Sequence, residues 1–368
     1  MKLNATYIKI RDKWWGLPLF LPSLILPIFA HINTFAHISS GEVFLFYLPL
    51  ALMISMMMFF SWAALPGIAL GIFVRKYAEL GFYETLSLTA NFIIIIILCW
   101  GGYRVFTPRR NNVSHGDSRL ISQRLFWQIV FPATLFLILF QFAAFVGLLA
   151  SRENLVGVMP FNLGTLINYQ ALLVGNLIGV PLCYFIIRVV RNPFYLRSYY
   201  SQLKQQVDAK VTKKEFAIWL LALGALLLLL CMPLNEKSTI FSTNYTLSLL
   251  LPLMMWGAMR YGYKLISLLW AVVLMISIHS YQNYIPIYPG YTTQLTITSS
   301  SYLVFSFIVN YMAVLATRQR AVVRRIQRLA YVDPVVHLPN VRALNRALRD
   351  APWSALCYLR IPGMEMLV

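Results

Sequence analysis

Cysteine, histidine and acidic side chains carry most metal and redox chemistry, and in this chain they are few and scattered. Cys99, Cys183, Cys231 and Cys357 include no C-x-x-C pair, so their spacing offers neither a zinc site nor a disulfide framework. Three of them fall in or at the ends of apolar runs, where a thiol serves as small apolar filler. Ionisable residues inside apolar runs would mark ion or proton paths, and almost none occur. His31 and His279 sit at the ends of runs, and His37 lies in a loop between two of them. Nothing resembles an acid–base or nucleophilic constellation. No catalytic, cofactor-binding or metal-ligating residue is expected, and no cofactor.

The polar residues that do fall within apolar runs are amides: Asn91, Gln141, Asn168, Gln170, Asn176 and Asn310. An amide in hydrocarbon seeks a partner, and a hydrogen bond between helices contributes about 0.5–2 kcal/mol. Two readings stay open. The amides join helices, or Asn168, Gln170 and Asn176 build a small polar ligand pocket; Asn168 and Asn176 nearly share a helix face. Pro66, Pro181 and Pro252 interrupt their runs, as hinges or as packing accommodations.

The elements that must position these residues are membrane spans. Of 368 residues, 59% are hydrophobic and only 12% charged, with mean hydropathy +0.67. A soluble domain carries roughly 25% charged residues. Apolar stretches predict an all-α polytopic membrane protein with about ten transmembrane helices. They run approximately over 15–32, 43–60, 62–74, 86–100, 125–149, 166–187, 216–232, 247–259, 265–279 and 302–317. The third, eighth and ninth are short. The first contains several prolines and no small-residue cleavage site, so it is expected to be retained rather than removed as a signal peptide.

Basic loops stay cytoplasmic. With the N-terminus inside, 27 of the 31 Lys and Arg residues fall on one side, and only Arg75, Lys76, Arg152 and Lys237 on the other. Both termini are therefore expected in the cytoplasm. The net charge of +19 reads as this asymmetry, with attraction to anionic headgroups as its consequence. The lipid bilayer is the partner implied. A nucleic-acid partner is not expected, because no base-stacking motif accompanies the charge. The polar segment 188–215 is either a surface helix on the inner leaflet or a solvated connector. The outward loop 281–301 places its aromatic residues at the interface or forms a lid over a ligand.

Several short motifs recur in order. Leu48–Pro49–Leu50–Ala51 precedes Trp62–Ala63–Ala64–Leu65–Pro66–Gly67, with Gly71 one turn on. GNLIGVPL runs from Gly175 to Leu182, and LPLMMWGAMRYG from Leu251 to Gly262, with Pro252, Trp256, Ala258, Arg260 and Gly262 as its marked positions. This order resembles the first family of bacterial membrane-associated sensor (MASE) domains, over residues 1–317. The resemblance implies a sensor of an unknown ligand or protein partner.

Beyond it, 318–332 reads as an Arg-rich signal helix, and LAYVDPVVHLPNVRALNRAL follows from Leu329. Ala330, Asp333, Pro334, Leu338, Pro339, Asn340 and Arg342 match the opening of the α/β GGDEF domain, which makes cyclic di-GMP; Val335, Val336, His337 and Val341 depart from it. Residues 333–368 thus resemble the first fragment of a GGDEF-like domain, and the chain is expected to be cut off inside it. In that family the first strand carries D-x-D, whose leading Asp helps bind magnesium, a hard cation that takes oxygen ligands. Here the corresponding strand is ALCYLRI, which puts Arg360 and Pro362 in those places. The resemblance therefore implies a degenerate domain, no catalytic site in this chain, and a longer parent that is a cyclic di-GMP phosphodiesterase with a following EAL domain. The alternatives are the sensor of a diguanylate cyclase and, from another class, a transporter or channel. Leu315, Val322, Ile326 and Leu329 form a stripe at seven-, four- and three-residue spacing, which predicts a parallel homodimer through the signal helix.

Overall fold

The computed structural model describes residues 13, 15–38, 41–106, 125–146, 162–208, 211–232, 244–285, 290–331 and 339–350. The chain divides into two units, Met1–Thr317 and Arg318–Val368.

The first unit begins with helix α1, Leu17–Ile32. Pro22 lacks an N–H, so the carbonyl of Pro18 loses its helical donor. Gly67 of helix α3, Leu65–Leu80, backs onto that carbonyl; a Cβ at Gly67 would lie 2.4 Å from it. Gly71 faces Pro22 and Ser23 one turn on, so α1 and α3 run parallel. The Ser23 hydroxyl lies 2.6 Å from the Leu19 carbonyl and 3.1 Å from that of Gly67, and its one proton joins the two helices. Helix α2, Pro49–Phe60, starts beside the end of α1, where the Asn33 side chain accepts from Leu48 N–H at 3.0 Å. It therefore runs opposite to both, and the chain reverses at Ser61–Ala64, with Ser61 at φ +51°.

Between α1 and α2 lies an antiparallel hairpin of β1, Thr34–Ile38, and β2, Gly41–Phe46. The unit is otherwise helical, as expected; the hairpin departs from the all-α expectation, and residues 43–46, the first four of the span expected over 43–60, are strand while 49–60 are helix. Val43, Phe44, Leu45 and Phe46 are all buried. A strand buried on both faces shows no polar alternation, so it reads as part of an apolar run. His37, expected in a loop, stands on β1 opposite Glu42, 3.4 Å away and largely exposed; such a pair adds little.

Helix α4, Phe82–Phe106, is followed by a π-helical turn, Leu125–Val130, and helix α5, Phe131–Phe145. Helix α6, Leu163–Arg191, is the central element. In its apolar window 61% of residues are buried, against 17% in α8, Lys213–Cys231, which lies at the periphery. Helix α7, Tyr195–Gln206, separates them, so the segment 188–215 contains a helix rather than only a connector. Helices α9, Asn244–Tyr261, and α10, Tyr263–His279, lead into α11, Tyr291–Tyr331. Residues 291–301, expected in an outward loop, are the first turns of α11. Their hydroxyls explain this: Thr296, Thr298, Ser300 and Ser301 each donate to the carbonyl four residues back, at 2.8–2.9 Å.

Among the described residues six helical runs are long and apolar enough to cross a membrane: Pro49–Leu80, Phe82–Phe106, Leu125–Ala143, Leu163–Arg191, Lys213–Cys231 and Tyr291–Ile326. Leu17–Ile32 and Tyr263–His279 are apolar but shorter. The expected count of about ten is thus not supported; length and composition give six candidate runs among the described residues. The second and third runs fall in one stretch, though its halves run in opposite directions. The first and ninth give helices of 16 and 17 residues, about 25 Å at 1.5 Å per residue, short of a core of about 30 Å. The eighth carries polar residues at both ends. Pro66 does not interrupt a helix; it stands in the first turn of α3, where a missing N–H costs nothing. Pro181 and Pro252 do lie inside helices.

In the second unit α11 continues to Tyr331, and helix α12 spans Val341–Asp350. Asn340 joins them. Its backbone N–H and side-chain amide donate to the carbonyls of Tyr331 and Ala330 at 2.9 and 2.8 Å, and its side-chain oxygen accepts from Ala343 N–H at 3.1 Å, capping α12. Residues 332–338 and the strand expected over 355–361, with Cys357, Arg360 and Pro362, lie outside the described residues.

Candidate functional site

The buried amides go to separate partners. Asn168 accepts from the Phe44 N–H at 2.7 Å, so α6 supplies the acceptor that a buried strand edge needs. Gln170, on the opposite side of α6, donates to Ser300 of α11 at 2.8 Å. Asn176 donates to the Ile129 carbonyl in the π-helical turn at 3.4 Å, and Gln141 to Thr165 at 3.4 Å. Asn310 donates to Ser306 on its own helix at 2.9 Å, while the Ser306 hydroxyl receives the Trp270 indole at 3.0 Å. The Asn91 amide nitrogen has no partner among the described residues. Asn168, Gln170 and Asn176 therefore do not converge on a pocket; they fasten α6 to three neighbours.

A cavity of about 10 Å³ lies where α2, α4 and the π-helical turn meet, lined by Met57, Cys99, Trp100, Trp127 and Gln128 among others. That is room for one water molecule. Among the described residues the buried Gln128 amide nitrogen and Trp100 indole nitrogen have no acceptor. Cys99 and Cys183 are buried free thiols and Cys231 is half-buried. Among the described residues no three His, Cys, Asp or Glu side chains group to hold a metal.

The densest set of long-range polar contacts surrounds the turn between α9 and α10, and the LPLMMWGAMRYG motif builds it. Gly257 leaves room for the Trp219 indole, which a Cβ there would meet at 2.3 Å. That indole donates to the Leu253 carbonyl at 2.9 Å and packs on Tyr261 at 4.8 Å. Ala258 is fully buried, and Arg260 lies over Trp256 at 5.8 Å. Gly262 takes φ +81°, a conformation that glycine adopts without penalty, and a Cβ would meet Gln206 at 2.9 Å.

Helix α10 then begins with N–H groups that have no helical acceptor. Distant elements supply them. Tyr263 N–H donates to the Thr317 hydroxyl at 3.0 Å, and Lys264 N–H to the Gln206 side chain at 3.1 Å. Thr317 passes its own proton to the Ala313 carbonyl at 2.7 Å. On the α7 side, Asp208 N–H donates to the Arg260 carbonyl at 3.0 Å, and Tyr199 donates to the Lys264 carbonyl at 2.8 Å. Burial of Tyr199 holds its hydroxyl above the ordinary tyrosine range, so it stays a donor. The turn thus ties α7 to the last residue of the first unit. The sequence marks Arg260 and Gly262 but gives no sign of Gln206 or Thr317, whose partners are 58 and 54 residues away.

Apolar helices of this length, buried amides turned inward and glycine-mediated contacts define a polytopic membrane domain. The MASE1 family model matches residues 15–320, and the chain belongs to that family. It is similar to the cyclic di-GMP phosphodiesterase PdeF of Escherichia coli (strain K12), with 99% identity over all 368 residues. It is also similar to the probable cyclic di-GMP phosphodiesterase PdeA of the same organism, with 25% identity over 365 residues, 96% of the chain. The chain spans about half the length of these relatives, 49% and 48%. No solved structure matches it significantly.

Proposed function

We propose that the chain is the membrane sensory and regulatory module of a cyclic di-GMP signalling protein whose full length hydrolyses cyclic di-GMP. The observation that carries this reading is the 99% identity, over the whole chain, to a protein named as a cyclic di-GMP phosphodiesterase. The family match over the membrane unit supports the sensory half. The GGDEF-like opening after Leu329 supports the regulatory half, and Arg360 and Pro362 argue against cyclase activity. The module lies in the bacterial inner membrane with both termini in the cytoplasm. Arg188, Arg260 and Lys264 gather around the Gly262 end of the unit, as a cytoplasmic face requires.

Two copies pair in parallel through α11. Leu315, Val322 and Ile326 are 45%, 56% and 59% exposed, an apolar stripe that a second copy would cover. Cyclic di-GMP hydrolysis by the full-length protein, beside the 368-residue chain alone, tests the reading. Activity in the first and none in the second is expected. A full-length protein without hydrolysis, or conversion of GTP to cyclic di-GMP by the chain, overturns it.

A further inference from the structure

Two cations stand close together at the end of the membrane unit, and among the described residues no carboxylate pairs with either. Arg188 occupies the last turn of α6 and Lys264 the first turn of α10, and they repel each other electrostatically. Among the described residues neither makes an ion pair; the nearby Asp208 pairs with Arg260 at 3.4 Å. Two half-buried like charges are unfavourable unless something negative joins them.

Helix α7 holds both in place. The Arg188 guanidinium sits 4.3 Å from the Tyr195 ring centre and donates to Tyr184 at 3.3 Å. The Lys264 ammonium lies 5.4 Å from the Tyr199 ring centre and donates to the Gln202 side chain. Rings and amides orient the two cations, yet none of them carries a negative charge. Guanidinium and ammonium offer eight N–H donors between them, more than these contacts consume. A phosphate supplies both the charge and several strong acceptors.

Free phosphate and a lipid headgroup share that chemistry, and the surroundings favour the lipid. Arg188 and Lys264 lie at the ends of apolar helices, where a spanning helix meets the headgroups. The neighbouring Phe194, Leu196 and Tyr200 are 83%, 51% and 71% exposed, an apolar surface that belongs against acyl chains. We propose that Arg188 and Lys264 bind the phosphate of an anionic lipid, which clips α7 to the end of the membrane unit. The same lysine belongs to the turn that reaches Thr317, so an occupied site stiffens that turn. The proposal rests on the membrane reading alone and not on cyclic di-GMP.

Native mass spectrometry of the purified chain tests it, with phosphatidylglycerol or phosphatidylcholine added. The wild type should retain phosphatidylglycerol in preference. Arg188→Gln and Lys264→Gln should each reduce the retained fraction several-fold; Arg188→Lys should keep most of it, and Arg197→Gln, on the exposed face of α7, should change nothing. Unchanged helical circular dichroism shows that each variant is folded. Equal retention of both lipids, equal loss in Arg197→Gln, or displacement of the lipid by millimolar inorganic phosphate would overturn the lipid assignment.

Discussion

The backbone N–H of Tyr263 donates to the hydroxyl of Thr317 at 3.0 Å, across 54 residues of sequence. The start of α10 is thereby capped by the helix that leaves the membrane. Because Gln206 caps the next N–H, a shift of α7 and a shift of α11 act on the same turn.

Removing that cap has a defined cost. Thr317→Val keeps the shape and leaves the half-buried Tyr263 N–H without its acceptor, a loss of about 1 kcal/mol. Thr317→Ser restores it. Thermal unfolding of the purified chain should place the serine variant near wild type and the valine variant below it. Equal midpoints would show that the bond contributes nothing.

Two glycines should respond oppositely to alanine. A Cβ at Gly175 would lie 2.0 Å from the Tyr47 carbonyl, so Gly175→Ala forces α6 away from the β2–α2 junction and destabilises by about 1–3 kcal/mol. Gly224, in the interior of α8, has open space where a Cβ would go among the described residues, and Gly224→Ala should stabilise by about 0.5–1 kcal/mol. Melting temperatures of both variants check this; a tolerated Gly175→Ala would contradict the close approach.

Asn340 caps α12 and ties it to the end of α11. Asn340→Ala should cost that helix about 1 kcal/mol. Amide exchange over Val341–Asp350 should speed up in the variant while the membrane helices keep their protection. Unchanged exchange would count against the cap.

Topology follows from charge and packing together. A cysteine placed at Gly290 should be labelled from outside the cell by a membrane-impermeant maleimide, and one at Arg197 only after permeabilisation. The reverse pattern would invert the orientation.

The apolar runs were legible because lipid imposes one simple rule on composition, and a helix lies on every run. What ran against the reading was local. The β1 sequence TFAHI alternates buried and exposed, a readable signal, but β2 is buried throughout its last four residues and imitates a span. The Thr- and Ser-rich start of α11 imitates a loop, because hydroxyls that bond back along a helix look polar in sequence. Gly262 was readable as a special position. Thr317 and Gln206 were not, since each acts only through a partner brought near by the fold. The amides were placed correctly within runs, while their partners on other elements could only be seen in the structure.

On the proposed function, cyclic di-GMP hydrolysis by the full-length protein in a reconstituted bilayer, wild type beside Thr317→Val, reads most directly whether the membrane unit governs output through the Gly262 turn. A rate altered about fivefold or more is expected, the scale of an ordinary coupling free energy, with Thr317→Ser near wild type. Identical rates in a folded Thr317→Val protein would contradict transmission through this contact.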